Sequence, residues 1–422
     1  MILSEQETPR AVSLWRDGDF VRLWAARVVS VAGSAVTAVA LPALVYAQTQ
    51  SPVLTSLLAA ASAAPYLVFG LFAGAMADRT DRRRLMVWTD LARGALLATV
   101  PLVALVAEPA WWHLLAVAWL VASVGVWFDA ASFGALPTLV RAEQLVEANS
   151  RVWSASTAAQ IAMPALAGLM IASIGAGASI AVDAVSFAVA AALVYAIGRP
   201  LNLPRDAAER SRRSLLADVR EGLRFLFTEP TIRLFTALGV SSAFSGGALI
   251  GLLVVYADRR FGIGQSDSRL GLMFAAGGVG ALLATLLLPR LSRRFAPQPL
   301  TLVGMAAGAV VLVGLAFAPS WPVGVALLAA WGVASMFVIV NGISVRQALT
   351  PEHLQGRVNV VGRMLTFGVG QPLGAVAAGL LAERLSVPAT LLLCAIPLVV
   401  AVAPGLAAAR RQTSDGVRRS AA

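Results

Sequence analysis

Lysine is absent from the 422-residue chain, and all 33 of its cationic residues are arginine. A phosphate-cradling loop of the Gly-x-x-x-x-Gly-Lys type needs that lysine, so ATP-driven pumping by this chain is excluded. Cysteine is reduced to Cys394, inside an apolar run, and one thiol makes neither an internal disulfide nor a multi-cysteine metal centre. The two histidines, His113 beside Trp111 and Trp112 and His353 in a polar loop, have no ligand-like spacing, so neither a metal site nor a cofactor is expected. Charged residues make up only 13% of the chain, and no polar interval is long enough to hold a water-soluble domain. A large soluble enzyme is excluded. An integral-membrane enzyme would need a cluster of catalytic groups at an interface, and two isolated histidines do not supply one. No enzymatic activity is expected.

What remains is grease. Hydrophobic residues account for 58% of the chain and its mean hydropathy is +0.78. A bilayer core about 30 Å thick takes roughly 20 apolar residues as a helix, which pairs every backbone group internally. Such runs occur at 27–47, 53–77, 85–107, 111–133, 152–174 and 178–197, and again at 234–257, 270–291, 300–317, 322–343, 360–381 and 387–408. The sequence therefore predicts an all-α membrane protein with twelve transmembrane helices in two six-helix bundles. It divides into a first bundle over 1–198, a linker over 199–233, a second bundle over 234–409 and a tail over 410–422. The first twenty residues hold no signal-peptide core, so the first span is expected to serve as its own uncleaved insertion signal.

The arginines set direction, because basic loops stay on the cytoplasmic side. Under this assignment 27 of the 33 fall on the side that also holds both termini. Both ends are expected in the cytoplasm, the arginines reflect topology, and no nucleic-acid partner is implied. Within the linker, Leu215, Val219, Leu223 and Leu226 mark one face of an amphipathic helix, read either as lying on the inner membrane surface or as a solvated connector.

The halves repeat. Arg22 and Leu23 answer to Arg233 and Leu234, Arg82 and Arg83 to Arg293 and Arg294, and Arg151 and Val152 to Arg357 and Val358. Two six-span repeats of the same orientation are related by an axis along the membrane normal and can rock about a shared cleft.

After the second span the chain reads Gly74-x-x-x-Asp78-Arg79-x-Asp81-Arg82-Arg83, and here it resembles the major facilitator superfamily, with Asp81 where that family carries a glycine. The stretches at Glu143-Gln144-Leu145, at Asp183 with Ser186 and Phe187, and at Gly356-Arg357-Val358 are similar to the branch that holds the enterobactin exporter and macrolide-efflux proteins. The family's antiporter element in the fifth span survives as Pro164 and Gly168. The resemblance implies a multi-pass protein of the bacterial cytoplasmic membrane, expected as a monomer, that exports a small, partly apolar compound such as a drug, siderophore or secondary metabolite. Alternating access would do this work, with protons as the coupling partner. An uptake carrier and a non-transporting sensor are the alternatives. It also implies a cytoplasmic gate at Gly74, Asp78, Arg79 and Arg83, unless those arginines serve topology alone.

The same resemblance places spans one, four, seven and ten around the cavity. Their polar residues are Arg27, Ser30, Ser34 and Thr37; Trp119, Ser123 and Trp127; Ser241 and Ser245; and Trp331, Ser335 and Asn341. Aromatic surface with scattered hydroxyls suits an apolar organic molecule better than a sugar, although small hydroxyl residues also pack helices. Ionisable residues within a bilayer are costly and point to function. Asp129, opposite Arg27, and Asp183 are the proton-coupling candidates, while Asp90 and Arg93, one turn apart, form a candidate structural pair.

Overall fold

A computed structural model describes residues 14–202, 215–351 and 354–420, and every regular element among them is helical. α1 (Gly18–Thr49) begins where the Asp17 carboxylate accepts hydrogen bonds from the Asp19 and Phe20 amides, two donors that a helix start leaves open. It ends at Gln50, in the left-handed region at φ 50°, and Ser51 then caps α2 (Pro52–Ala63). Pro65, which cannot donate a backbone hydrogen bond, separates α2 from α3 (Pro65–Arg79) within the second span. Asp81 caps α4 (Arg82–Ala104) by accepting from the Arg84 amide at 3.0 Å. The departure from the family's glycine thus starts the third span.

α5 (Trp111–Leu139) is followed by α6 (Leu145–Tyr195), whose 51 residues far exceed one bilayer thickness. Gly175, at φ 84° and ψ 162°, adopts backbone open essentially only to glycine, and there the fifth span turns into the sixth. The second half comprises α7 (Leu215–Thr228), α8 (Pro230–Phe261), α9 (Arg269–Leu291), α10 (Pro297–Phe317), α11 (Trp321–Leu349), α12 (Gln355–Arg363), a π-helical stretch over Met364–Gly370, α13 (Gln371–Arg384) and α14 (Val387–Ser420). Among the described residues ten helical stretches are long and apolar enough to cross a membrane. Because α6 crosses twice and Val387–Ala403 supplies a further apolar helix, the described residues give twelve spans. In the loop before α9, Arg269 donates to Asp267 and holds its carboxyl below the usual carboxylate range.

Burial shows how the halves meet. At the arginine-poor end one continuous core takes Val36, Tyr46 and Leu58 from the first half together with Leu252, Tyr256 and Met273 from the second. At the arginine-rich end the cores are separate: Phe20, Met86 and Phe128 pack within the first half, and Ala284, Leu300 and Phe337 within the second. The halves are therefore joined at one end and parted at the other. The seam of the joined end is built from small residues, which let helix backbones approach. Gly168 of α6 lies against Gly271 and the Ser268 carbonyl, and Ser56 donates to the Gly251 carbonyl at 3.1 Å.

Of the apolar face expected on α7, Leu223 and Leu226 are described, and the side chains of Leu215 and Val219 lie outside the described residues. Leu226, only 1% exposed, and Leu223 pack on Val358 and Val361 of α12, and Glu221 forms an ion pair with Arg357. The described part of its apolar face is covered by the protein, because Val358 and Val361 of α12 present an apolar surface to it.

Candidate substrate cavity and its charged residues

Parted ends and a joined end leave a cleft between the halves. Its wider part, about 650 Å³, is lined from the first half by Arg27, Ser30, Ser34, Arg93, Gly125 and Asp129, and from the second by Ile250, Phe274, Trp331 and Ser335. A second compartment of about 450 Å³ shares Ser34, Ala38, Arg93, Ile250 and Phe274 with the first and runs on toward Leu41, Thr55, Tyr66, Phe367 and Gln371. The walls are mostly apolar, with a few polar groups converging on them, as suits an organic ligand.

The charges lie almost entirely on the first half's wall. Arg27 of α1 donates to Asp129 of α5 at 2.5 Å, with the two side chains 29% and 40% exposed. A pair open to water is held weakly enough to be exchanged. Asp183 of α6 is enclosed: one oxygen accepts from Thr37 at 2.5 Å and the other from Ser186 at 3.1 Å. The bond from Thr37 ties α6 to α1, while that from Ser186 stays within α6.

Several sequence candidates lie off the lining. On α5 the cavity face runs through Ala118, Val121, Ala122, Gly125 and Asp129, so Trp119, Ser123 and Trp127 occupy a neighbouring face. Ser123 donates to its own helix at the Trp119 carbonyl, and Trp127 packs against Phe69 of α3. The four-residue spacing that suggested a polar stripe fits helix packing instead. On α8, Ser241 bonds back to Ala237, while Ser245 donates to the Cys394 carbonyl of α14 at 2.7 Å; both are packing bonds. Asn341 is buried in α11 away from the lining.

The gate residues are partly described. Gly74 and Asp78 lie in α3, their side chains outside the described set. Arg79 is exposed, and Arg83 donates to the Arg199 carbonyl at 2.6 Å, anchoring the chain that leaves the sixth span. Both partners belong to the first half.

Three features escaped the sequence. Tyr66 lines the smaller compartment and meets Arg363 of α12 across the cleft at 3.5 Å. Tyr46 of α1, 1% exposed, donates to Asp258 of α8 at 3.0 Å and so bridges the halves at the joined end. Arg93 of α4, a helix behind the wall, reaches the cavity past Gly125, whose missing side chain leaves the gap. Glycine within a span, facing an arginine on a neighbouring span, is the signal that could have found it.

Comparison with known proteins agrees with this architecture. The multidrug efflux pump Tap of Mycobacterium tuberculosis is 32% identical over 395 residues, 89% of each chain, and the Tap pump of Mycolicibacterium fortuitum is 29% identical over 91% of this chain and 94% of that one. Macrolide efflux protein A of Streptococcus pyogenes is 29% identical over 208 residues, 49% of this chain and 51% of its own. Among solved structures, the nucleoside transporter NupG superposes with a TM-score of 0.78 at 12% identity, covering 92% of this chain and 98% of that one. A bacterial homologue of the human lysosomal transporter Spinster, solved inward-facing and unoccupied, gives 0.71 at 14% identity, covering 95% and 98%. At such identities these two establish the fold alone. The Major Facilitator Superfamily profile matches residues 23–367, and with twelve spans in two bundles around a central cleft the chain belongs to that family of membrane transporters.

Proposed function

We propose that this transporter exports small, partly apolar, drug-like compounds out of the cytoplasm by alternating access, driven by protons through Asp129. The observation that carries the reading is the two-walled cavity of about 650 Å³, apolar over most of its surface, with the Arg27 to Asp129 pair exposed on one side. Similarity to Tap pumps over nearly the whole chain supports efflux of this class. The positive-inside rule puts the arginine-rich end, where the halves part, in the cytoplasm, so the cavity takes its cargo from there, and both termini lie on that side. The chain acts as a monomer in the bacterial cytoplasmic membrane, since each chain holds both walls of the site.

In this cycle a bound cation or a proton competes with Arg27 for Asp129. Protonated Asp129 releases Arg27, and the change in pairing favours a different seating of α1 against α5. Rocking then opens the joined end. Arg83, with Asp78 and Arg79 at the end of α3, braces the cytoplasmic end of the first bundle. The test uses purified protein in liposomes with an imposed pH gradient and a fluorescent lipophilic dye as cargo. Concentrative dye movement abolished by a protonophore is the expected result; dye flux that ignores the gradient, or none, overturns the reading.

A further inference from the structure

Arg93 is held like a tool. Its guanidinium lies 3.9 Å from the ring centroid of Phe187 on one face and against Gly125 on the other, so its plane is fixed by α6 and α5 before any ligand arrives. Its side chain is 13% exposed, and it lines both compartments where they join.

The hydrogen-bonding capacity of this group is poorly used. A guanidinium carries five N–H donors in a planar fork. Here Nη2 has only a 3.4 Å contact with the Ser34 hydroxyl, Nη1 stands 3.7 Å from Asp90, and Nε has no partner. The other nearby carboxylates are occupied, Asp183 by Thr37 and Ser186 and Asp129 by Arg27. Nε is sealed from the cavity, so the donors a cargo can reach are those on Nη1 and Nη2, whose present contacts are long, and inside a bilayer an unfilled donor is costly.

Asp90 lies beside Arg93 and balances its charge without saturating its donors. The edge therefore offers directed N–H groups with little net positive field, which suits a neutral oxygen acceptor better than a free anion. We propose that Arg93 is an acceptor-binding subsite at the junction of the two compartments, taking a carbonyl-type oxygen of an apolar organic substrate. Recognition then has two parts: the apolar body fills the compartments, and one carbonyl registers against the fork. The inference rests on the cavity being the drug site proposed above, and adds which chemical feature of the cargo is read.

Two dyes isolate that feature. Tetramethylrosamine and tetramethylrhodamine methyl ester share the same monocationic ring system, and the second adds one ester carbonyl. Their binding to the full-length protein in nanodiscs is measured by fluorescence anisotropy, with empty nanodiscs subtracted. The wild-type protein is expected to prefer the ester by on the order of tenfold, the worth of one hydrogen bond to a charged donor. The variant Asp90→Asn with Arg93→Gln removes both charges together and leaves no orphan ion. Its preference is expected to fall to near unity. Because the readout is a ratio within one preparation, partial unfolding does not mimic that loss. Equal affinity of the wild type for both dyes, or a preference that survives in the double variant, overturns the subsite and leaves the cavity reading standing. Failure of both dyes to bind overturns the cavity reading itself.

Discussion

Asp129 and Asp183 are both carboxylates at cavity depth, yet their surroundings assign them different work. Asp183 is 1% exposed and accepts from Thr37 of α1 as well as from Ser186 of its own helix, so it joins α6 to α1. Asp129 is 40% exposed and shares one oxygen with a partly exposed arginine, an arrangement that exchanges partners at low cost. Asp129→Asn is therefore expected to lower gradient-driven dye transport at least tenfold while changing equilibrium dye affinity less than about threefold, since an ion pair this exposed is worth only about 0–1 kcal/mol. Transport and binding assays on one preparation check this, and equal losses in both would refute it. The pairing of Arg27 with Asp129 was legible in the sequence because ionised residues stand out in apolar runs. Arg93 was not legible as a cavity residue. Its reach depends on the gap at Gly125 and on Phe187 behind it, and lateral packing of this kind leaves no trace in the periodicity of any one helix.

Tyr46 and Asp258 belong to the same scale. Their hydrogen bond joins the halves at the sealed end, so it exists in one conformation and must break in the other. Tyr46→Phe removes it without changing the ring that fills the shared core. The variant is expected to shift the opening equilibrium by about 1–2 kcal/mol, roughly five- to thirtyfold, toward opening at the arginine-poor end. Spin-label distances across that end would report the shift; an unchanged distance distribution would mean that the bond carries no weight.

At the scale of elements, the existence of the helices followed from apolar length. The joint at Gly175 was legible, since it falls between the runs 152–174 and 178–197. Two others were not: Pro65 sits inside the run 53–77, and the π-helical stretch Met364–Gly370, inside the run 360–381, opposes the broken second span, with Gly368 against Leu67. Hydropathy counts residues, and it does not see where one turn of backbone is widened or broken. The α6 to α9 seam gives a direct check. A side chain at Gly168 would run into the Ser268 carbonyl and the backbone of Gly271, whereas one at Gly177 meets nothing within 4 Å. Gly168→Val is expected to cost about 1–3 kcal/mol and to prise the joined end apart. Gly177→Ala should leave thermal stability within about 0.5 kcal/mol, the usual range for a site without contacts. Melting of the purified variants in detergent compares them, and similar melting of the two would show that the close approach is dispensable.

The whole molecule is a pair of bundles sharing one core at the arginine-poor end and holding separate cores at the other, and the proposed orientation, arginine-rich end inward, predicts which face of the membrane sees the cavity. Ser335 lies on the wide compartment, on the second half's wall, while Ser56 lies fully buried in the seam of the joined end. The native thiol of Cys394 is 1% exposed and contributes little background to thiol labelling. In the Ser335→Cys variant, a small membrane-impermeant maleimide should react in inside-out vesicles and not in right-side-out ones, whereas Ser56→Cys should resist the reagent in both. Tyr46→Phe, by loosening the seam, should raise labelling of Ser56→Cys from the outside and depress that of Ser335→Cys. Reciprocal change is the signature of one cleft with two alternating mouths. If both positions instead gained reactivity together, the halves would be separating rather than rocking, and a transport cycle built on the joined and parted ends would have to be abandoned.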